Sequence, residues 1–175
     1  MYPYLKLATT LLKAKFRSGL SPDDVTTQQL WVGPTDVDPF MELNHARHLF
    51  YMELARWDFG YRTGLLSLLK RNRWGIAAGG ASVRYRRRVP LLSRFTLKTR
   101  LVCHDGRWFY FLQEILRDER ICSSALLKIG VTSRDGLVPA PQVLKEMGFE
   151  DWRTEMPDWV SAWIEAEGMR PWPHD

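Results

Sequence analysis

The chain has 175 residues, 45% of them hydrophobic and 26% charged, which allows one ordinary globular core and leaves too little for two. Its net charge of +5 favours anionic partners (phosphorylated cofactors, acidic carrier proteins, nucleic acid or membrane headgroups) without choosing among them. Two cysteines, Cys103 and Cys122, with no CxxC pair, exclude a disulfide scaffold and point to a reducing cytoplasmic setting, and no apolar run approaches the roughly 18 residues of a membrane span.

In chain order, residues 1–20 come first, as an amphipathic helix in which Leu5, Leu7, Leu11, Leu12 and Phe16 alternate with Lys6, Lys13, Lys15 and Arg17. Such a helix either docks on its own domain or makes peripheral contact with a membrane surface; the lack of an uninterrupted apolar core with a small-residue cleavage site speaks against a signal peptide and favours docking. After the turn-rich Ser21-Pro22-Asp23-Asp24, residues Thr26 to Gly33 alternate as a first strand. From about His45 to Lys70, Ala46, Phe50, Leu54, Trp57, Tyr61, Leu65 and Leu68 recur at spacings of three and four, which predicts one long helix with one buried face and Asn44 as its N-cap. The period then changes to two. Trp74 to Val89 reads as a strand with Ala77, Ala81, Val83 and Tyr85 on one face and Arg84, Arg86 and Arg88 on the other. Phe95 to His104 is a second, with Phe95, Leu97, Leu101 and Cys103 inward, and Asp105-Gly106 is a hairpin signal. Trp108 to Arg117 returns, Asp118-Glu119 turns, and Ile121 to Ser133 closes the run before Arg134-Asp135-Gly136. Past Pro139 the chain is rich in Pro and Trp (Trp152, Trp159, Trp163, Trp172), which suits one or two short helices and an irregular tail. The order of strand, long helix and four turn-linked strands predicts an α+β domain over residues 26–138, an antiparallel five-stranded sheet with the helix on one face. Residues 1–20 and 139–175 flank it as an N-terminal helix and a C-terminal extension.

Chemistry concentrates just before the long helix. Thr35 to His48 contains three carboxylates, an Asn and two His, and a helix start offers unpaired N–H groups that favour acidic side chains and oxyanions. No GxSxG elbow, GxxxxGK loop or HExxH helix occurs. Asp36, Asp38, Glu42, His45 and His48 mix hard and imidazole ligands at no standard metal spacing, so no metal is expected. Asp38 has two readings: a carboxylate favoured by the helix dipole, or an attacking group facing a cleft where a carbonyl sits between it and the N–H groups. Glu53 falls on the predicted sheet-facing stripe, where a carboxylate needs a partner, and Arg56 is the expected one. Arg84, Arg86, Arg87 and Arg88 form either a solvated strand face or a grip on phosphates. Gly75, Gly79 and Gly80 lie within a strand and mark a bulge or close approach by a ligand or another chain.

Asp36-Val37-Asp38, Asn44-His45-Ala46-Arg47 and Met52-Glu53-Leu54-Ala55-Arg56 together resemble the D-x-D…NNARY…E-x-A-R pattern of the hotdog-fold thioesterase superfamily, in the branch around 4-hydroxybenzoyl-CoA thioesterase. Arg84-Tyr85-Arg86-Arg87 and Asp105-Gly106-Arg107 extend the similarity to the thioesterase-like subgroup that includes the mammalian THEM proteins. The resemblance covers roughly Thr26 to Ser133 and implies a sheet wrapped around a central helix. It also implies hydrolysis of an acyl-CoA or acyl-carrier-protein thioester without metal or organic cofactor, and a homodimer or dimer of dimers with its site at the subunit interface. By the same resemblance Asp38 is the catalytic carboxylate, as nucleophile or general base, with Glu42, Asn44 and His45 beside it. Gly79, Gly80, Arg84, Arg86 and Arg88 are implied at the substrate path or the partner chain. The sequence departs from the pattern at Glu42, which replaces a His, at His45, which replaces the second Asn, at His48, which replaces the closing Tyr, and at Pro34, where some relatives carry Tyr. These departures also permit a non-catalytic acyl-thioester or lipid binding protein. A nucleic-acid binder is disfavoured, since the charged strand lacks interleaved exposed aromatics.

Overall fold

Six strands and five α-helices make up the computed structural model, which describes residues 4–171. Helix α1 (Tyr4–Lys15) precedes strand β1 (Thr26–Trp31), and α2 (His45–Arg62) and α3 (Leu65–Asn72) follow a loop. Then come β2 (Gly75–Tyr85), β3 (Arg94–His104), β4 (Phe109–Arg117), β5 (Arg120–Ser133) and the short β6 (Gly136–Val138), and α4 (Ala140–Glu146) and α5 (Asp158–Met169) end the chain. The sheet is antiparallel in the order β1-β3-β4-β5-β2, with β6 paired to the end of β5. Five strands match expectation; β6 is a sixth, too short for a period to register. Trp172 lies outside the described residues.

Helix α2 forms where predicted, but its buried face is rotated and its end comes early. His48, Tyr51, Met52, Ala55, Asp58 and Phe59 are buried, whereas Ala46 and Tyr61 of the expected stripe are exposed. The cause is packing on two sides. Met52, Ala55 and Phe59 join Leu97, Ile115 and Leu127 in the main core, while α1 packs along α2 and covers the flank carrying Tyr51 and Asp58. A large apolar side chain buried in this way contributes about 1.5–3 kcal/mol. The Thr63 N–H and hydroxyl both donate to the Phe59 carbonyl, and Gly64 then takes φ +83°, a left-handed conformation natural to glycine, so the expected continuous helix splits into α2 and α3.

A smaller second core lies apart from the main one. A register shift between Leu101 and Cys103 turns Cys103 away from Leu97 and into a cluster with Tyr110, Leu126 and Val160 of α5. This corrects the expectation that Cys103 shares a face with Leu97: a bulge resets the alternation. Both cysteines are buried and unpaired.

Helix α1 docks on the domain. Lys6 reaches Asp36 and Tyr51, and Arg17 reaches Asp58, while Leu5, Leu12 and Phe16 remain exposed. Among the described residues no helix is long and apolar enough to cross a membrane.

Candidate active site

The two aspartates of the D-x-D stretch have different surroundings. Asp36 is 1% exposed; Lys6 Nζ lies 2.8 Å from each of its oxygens and the Tyr51 hydroxyl donates to Oδ2 at 2.6 Å. Burial pushes its carboxyl up, but the hydrogen bonds from Lys6 and Tyr51, the Lys6 charge and the Gly33 N–H outweigh that and hold it below the usual carboxylate range. Asp36 is therefore a structural anchor joining α1, the loop and α2.

Asp38 instead lines a cleft of about 370 Å³ together with Glu42, His45, His48, Tyr85 and the Arg86-Arg87-Arg88 run. Its Oδ1 accepts from the N–H groups of Phe40 (2.9 Å) and Glu42 (3.4 Å). Among the described residues these are its side-chain hydrogen bonds, and both fall on Oδ1. The turn is closed by Asp38 N–H to Glu42 O and Met41 N–H to Asp38 O, with Met41 at φ +59°. Bridges from Val37 to Leu43 and from Glu42 to Pro90 hold it in place.

The other expected site residues separate into those at the cleft and those elsewhere. His45 and Glu42 line it, as do Arg86 and Arg88. Arg88 Nε stands 3.3 Å from Glu42 Oε2, yet off the hydrogen-bonding direction, so this shielded oxygen has an ion-pair neighbour but no hydrogen-bond donor among the described residues. Asn44 is the N-cap: its Oδ1 accepts from Ala46 N–H at 2.9 Å, which uses one of the amides expected to face an oxyanion. Arg84 is exposed on β2 opposite Ser124, outside the residues that line the cleft. Gly79 and Gly80 are outside it too, and each is approached by a tryptophan of this chain. The group approaching Gly79 is the Trp108 ring, 2.6 Å from where a Cβ would stand, and Trp163 approaches Gly80 at 3.3 Å. The strand glycines thus make room for the chain's own tryptophans, at the register shift between Ala78 and Gly80. Glu53 accepts from Trp57 Nε1 at 3.4 Å, while Arg56 donates to the buried Gln113.

His48 and Tyr85 are the cleft residues that sequence reasoning left without a role. His48 is 4% exposed, with Nδ1 2.7 Å from the hydroxyl oxygen of the fully buried Ser123 on β5 and its ring edge-on to Tyr85 at 5.2 Å. Burial lowers its pKa to about 4, a hydrogen bond to the Leu43 carbonyl opposes this and the His45 charge adds to it, so the ring is neutral near pH 7. Tyr85 donates to the His45 carbonyl at 3.1 Å. A second groove, of about 590 Å³, runs between α1 and β1 past Lys6, Gln28 and Asp58; it is larger, but none of the carboxylate and imidazole cluster faces it. Among the described residues no group of three or more His, Cys, Asp and Glu is placed to hold a metal ion.

A carboxylate in a cleft with imidazole and guanidinium neighbours, at the mouth of a helix wrapped by an antiparallel sheet, narrows the comparison. The model of the thioesterase-like superfamily matches residues 32–164. The chain belongs to that superfamily. Within it, the chain is similar to the protein THEM6 of Drosophila melanogaster, 32% identical over 82% of this chain and 74% of the fly protein. It is also similar to THEM6 of Xenopus laevis, 28% identical over 65% of this chain, and spans 55% of the frog protein's length. The fold is that of the probable thioesterase YbaW from Escherichia coli, with a TM-score of 0.65 and 20% identity over 71% of this chain and 96% of that one. The thioesterase-like chain is thus a hotdog fold, and thioester hydrolysis is the general chemistry its membership supports.

Proposed function

We propose that this chain hydrolyses an acyl-CoA or acyl-carrier-protein thioester to free acid and thiol, with Asp38 as the attacking carboxylate or the base that activates water. One observation carries the reading: of the two aspartates, Asp36 is locked by Lys6 and Tyr51 while Asp38 takes its hydrogen bonds on Oδ1 alone, in a cleft shared with His45. Attack at the thioester carbonyl builds an oxyanion, which collapses to expel the thiolate; attack by water gives the acid directly, and attack by Asp38 gives a mixed anhydride that water then cleaves to the acid and the regenerated carboxylate. The His45 side chain is suited to donate to the oxygen or the leaving sulfur, and its backbone N–H to the oxyanion, since the Ala46, Arg47 and His48 amides donate to Asn44. Arg86 and Arg88 give the cleft rim the charge that phosphates of the carrier require. No metal or organic cofactor enters these steps.

The active form proposed is a homodimer joined along β2, the outermost strand beside β5. Free-thiol release from a panel of acyl-CoAs is the test. Asp38→Asn is expected to reduce kcat by about 10²–10⁴-fold, and an unaffected rate rejects Asp38. The second reading is a non-catalytic acyl-thioester binding protein, favoured by the Asn44 cap on the Ala46 amide; it predicts tight binding with no thiol release by the wild type.

A further inference from the structure

Strand β1 has a neighbouring strand, β3, on one edge, and its other edge faces α1 across the groove of about 590 Å³. Val32 N–H donates to Ser93 O on the β3 side. By alternation, Thr26, Gln28 and Leu30 turn their backbone groups toward β3, and Thr27, Gln29 and Trp31 turn theirs outward. Two side-chain bonds agree: Arg17 donates to Thr27 O at 3.1 Å and the Tyr51 hydroxyl to Trp31 O at 3.3 Å. Because the consecutive residues Gln28, Gln29, Leu30 and Trp31 all line the groove, it meets the strand edge-on rather than along one face. Along this edge the N–H groups of Thr27, Gln29 and Trp31 have no acceptor, and Gln29 O no donor, among the described residues.

The lining narrows the choice of occupant. Of the cations along the groove, Lys6 pairs with Asp36 and Arg17 with Asp58, while the exposed Lys13 has no ion-pair partner among the described residues. Asp58, the one carboxylate in the lining, is also paired with Arg62. Gln28 Nε2 is shielded from solvent and has no acceptor among the described residues. The groove therefore offers donors and positive charge, and its occupant must bring acceptors and negative charge. Phe16 on α1 and Trp31 on β1, 79% and 54% exposed, supply apolar surface at the same place. A second copy of this chain would carry identical cations to the meeting edge, where like charges oppose pairing. An extended acidic peptide answers the strand's backbone and the groove's charge together.

We propose that the free edge of β1 and the groove beside it bind an extended acidic segment of another protein as an added strand. The site is separate from the Asp38 cleft and stands whether or not the chain hydrolyses thioesters. Its test is fluorescence anisotropy of the full chain with a labelled, end-blocked peptide of alternating glutamate and valine. That peptide should bind, more weakly as salt is raised, and its lysine–valine counterpart should bind about tenfold more weakly or not at all. Two further versions carry N-methyl groups on one or the other alternate set of amides. One set should abolish binding and the other leave it intact, because only one edge of an added strand meets β1. Lys13→Glu should weaken binding about tenfold, and Gln29→Pro, which removes an outward N–H without touching the β1–β3 ladder, about fivefold. Thermal unfolding reports whether each variant is folded, and the methylated pair decides the matter even where Gln29→Pro does not fold. No binding at millimolar peptide, equal affinity for the glutamate and lysine peptides, or equal loss from both methylated sets overturns the proposal. A wild-type dimer that dissociates in a folded Gln29→Pro protein overturns it in favour of a second copy on this edge.

Discussion

Asp36 and Asp38 are two residues apart, and what separates them is a lysine thirty residues upstream of the first. Lys6→Met leaves the buried Asp36 carboxylate without its nearest cation, which should lower stability by about 3 kcal/mol in urea unfolding; Arg47 at 3.7 Å is the cation that remains. Acid should act on the same residues. Asp36 titrates lower in the folded than in the unfolded protein, so its contribution is complete above the ordinary value of about 3.9 and disappears as pH falls through the folded one. His48, at about 4 folded against about 6.5 unfolded, leaves the unfolded chain holding the extra proton between those values. Its contribution is thus complete above about pH 6.5 and declines toward pH 4. A urea midpoint flat across that interval in the wild type, or one equally steep in His48→Gln, would contradict the neutral buried ring. At this scale the sequence was informative where chemistry is local: Asp38, Glu42 and His45 are close in the chain and share one cleft. It was silent on the His48–Ser123 contact because 75 residues separate the pair, and a serine in a strand carries no mark of its partner.

Elements were readable from period and turn chemistry, with errors where a single residue resets a period. The α2–α3 break was hidden because Leu65 and Leu68 continue the helical spacing across Gly64, whose left-handed conformation periodicity does not register. The shift at Cys103 arose in the same way, since alternation counts residues and a bulge adds one. The strand glycines were legible as close approaches, but the approaching group was not, because Trp108 is in another strand's turn. Gly79→Ala tests that geometry: with a Cβ at 2.6 Å from the Trp108 ring, about 1–3 kcal/mol of stability should be lost in thermal unfolding. Recovery in the double variant with Trp108→Leu would assign the loss to this one contact, and an unchanged melting temperature in the single variant would refute it.

Across the whole molecule the sheet wraps α2 on one side, a second core under α5 backs the sheet, and β2 is left with a single neighbouring strand. An eleven-residue outer strand is a template for pairing with another chain. Sedimentation equilibrium should accordingly give twice the 20.5 kDa chain mass; a protein that stays at one chain mass at micromolar concentration rules out the dimer. The overall plan was legible because antiparallel strands with short turns leave few ways to cover one long helix.

The tie between Lys6 and Asp36, one of two ion pairs that hold the leading segment, has a consequence for covalent control. Lys6 is partly open to solvent, and acetylation of its side chain would erase the charge while keeping the length. Loss of that cation would loosen the tie between the leading helix and the turn whose far end carries Asp38, while Arg17 still holds Asp58, so an enzyme writing on the protein's exterior would act on the cleft without entering it.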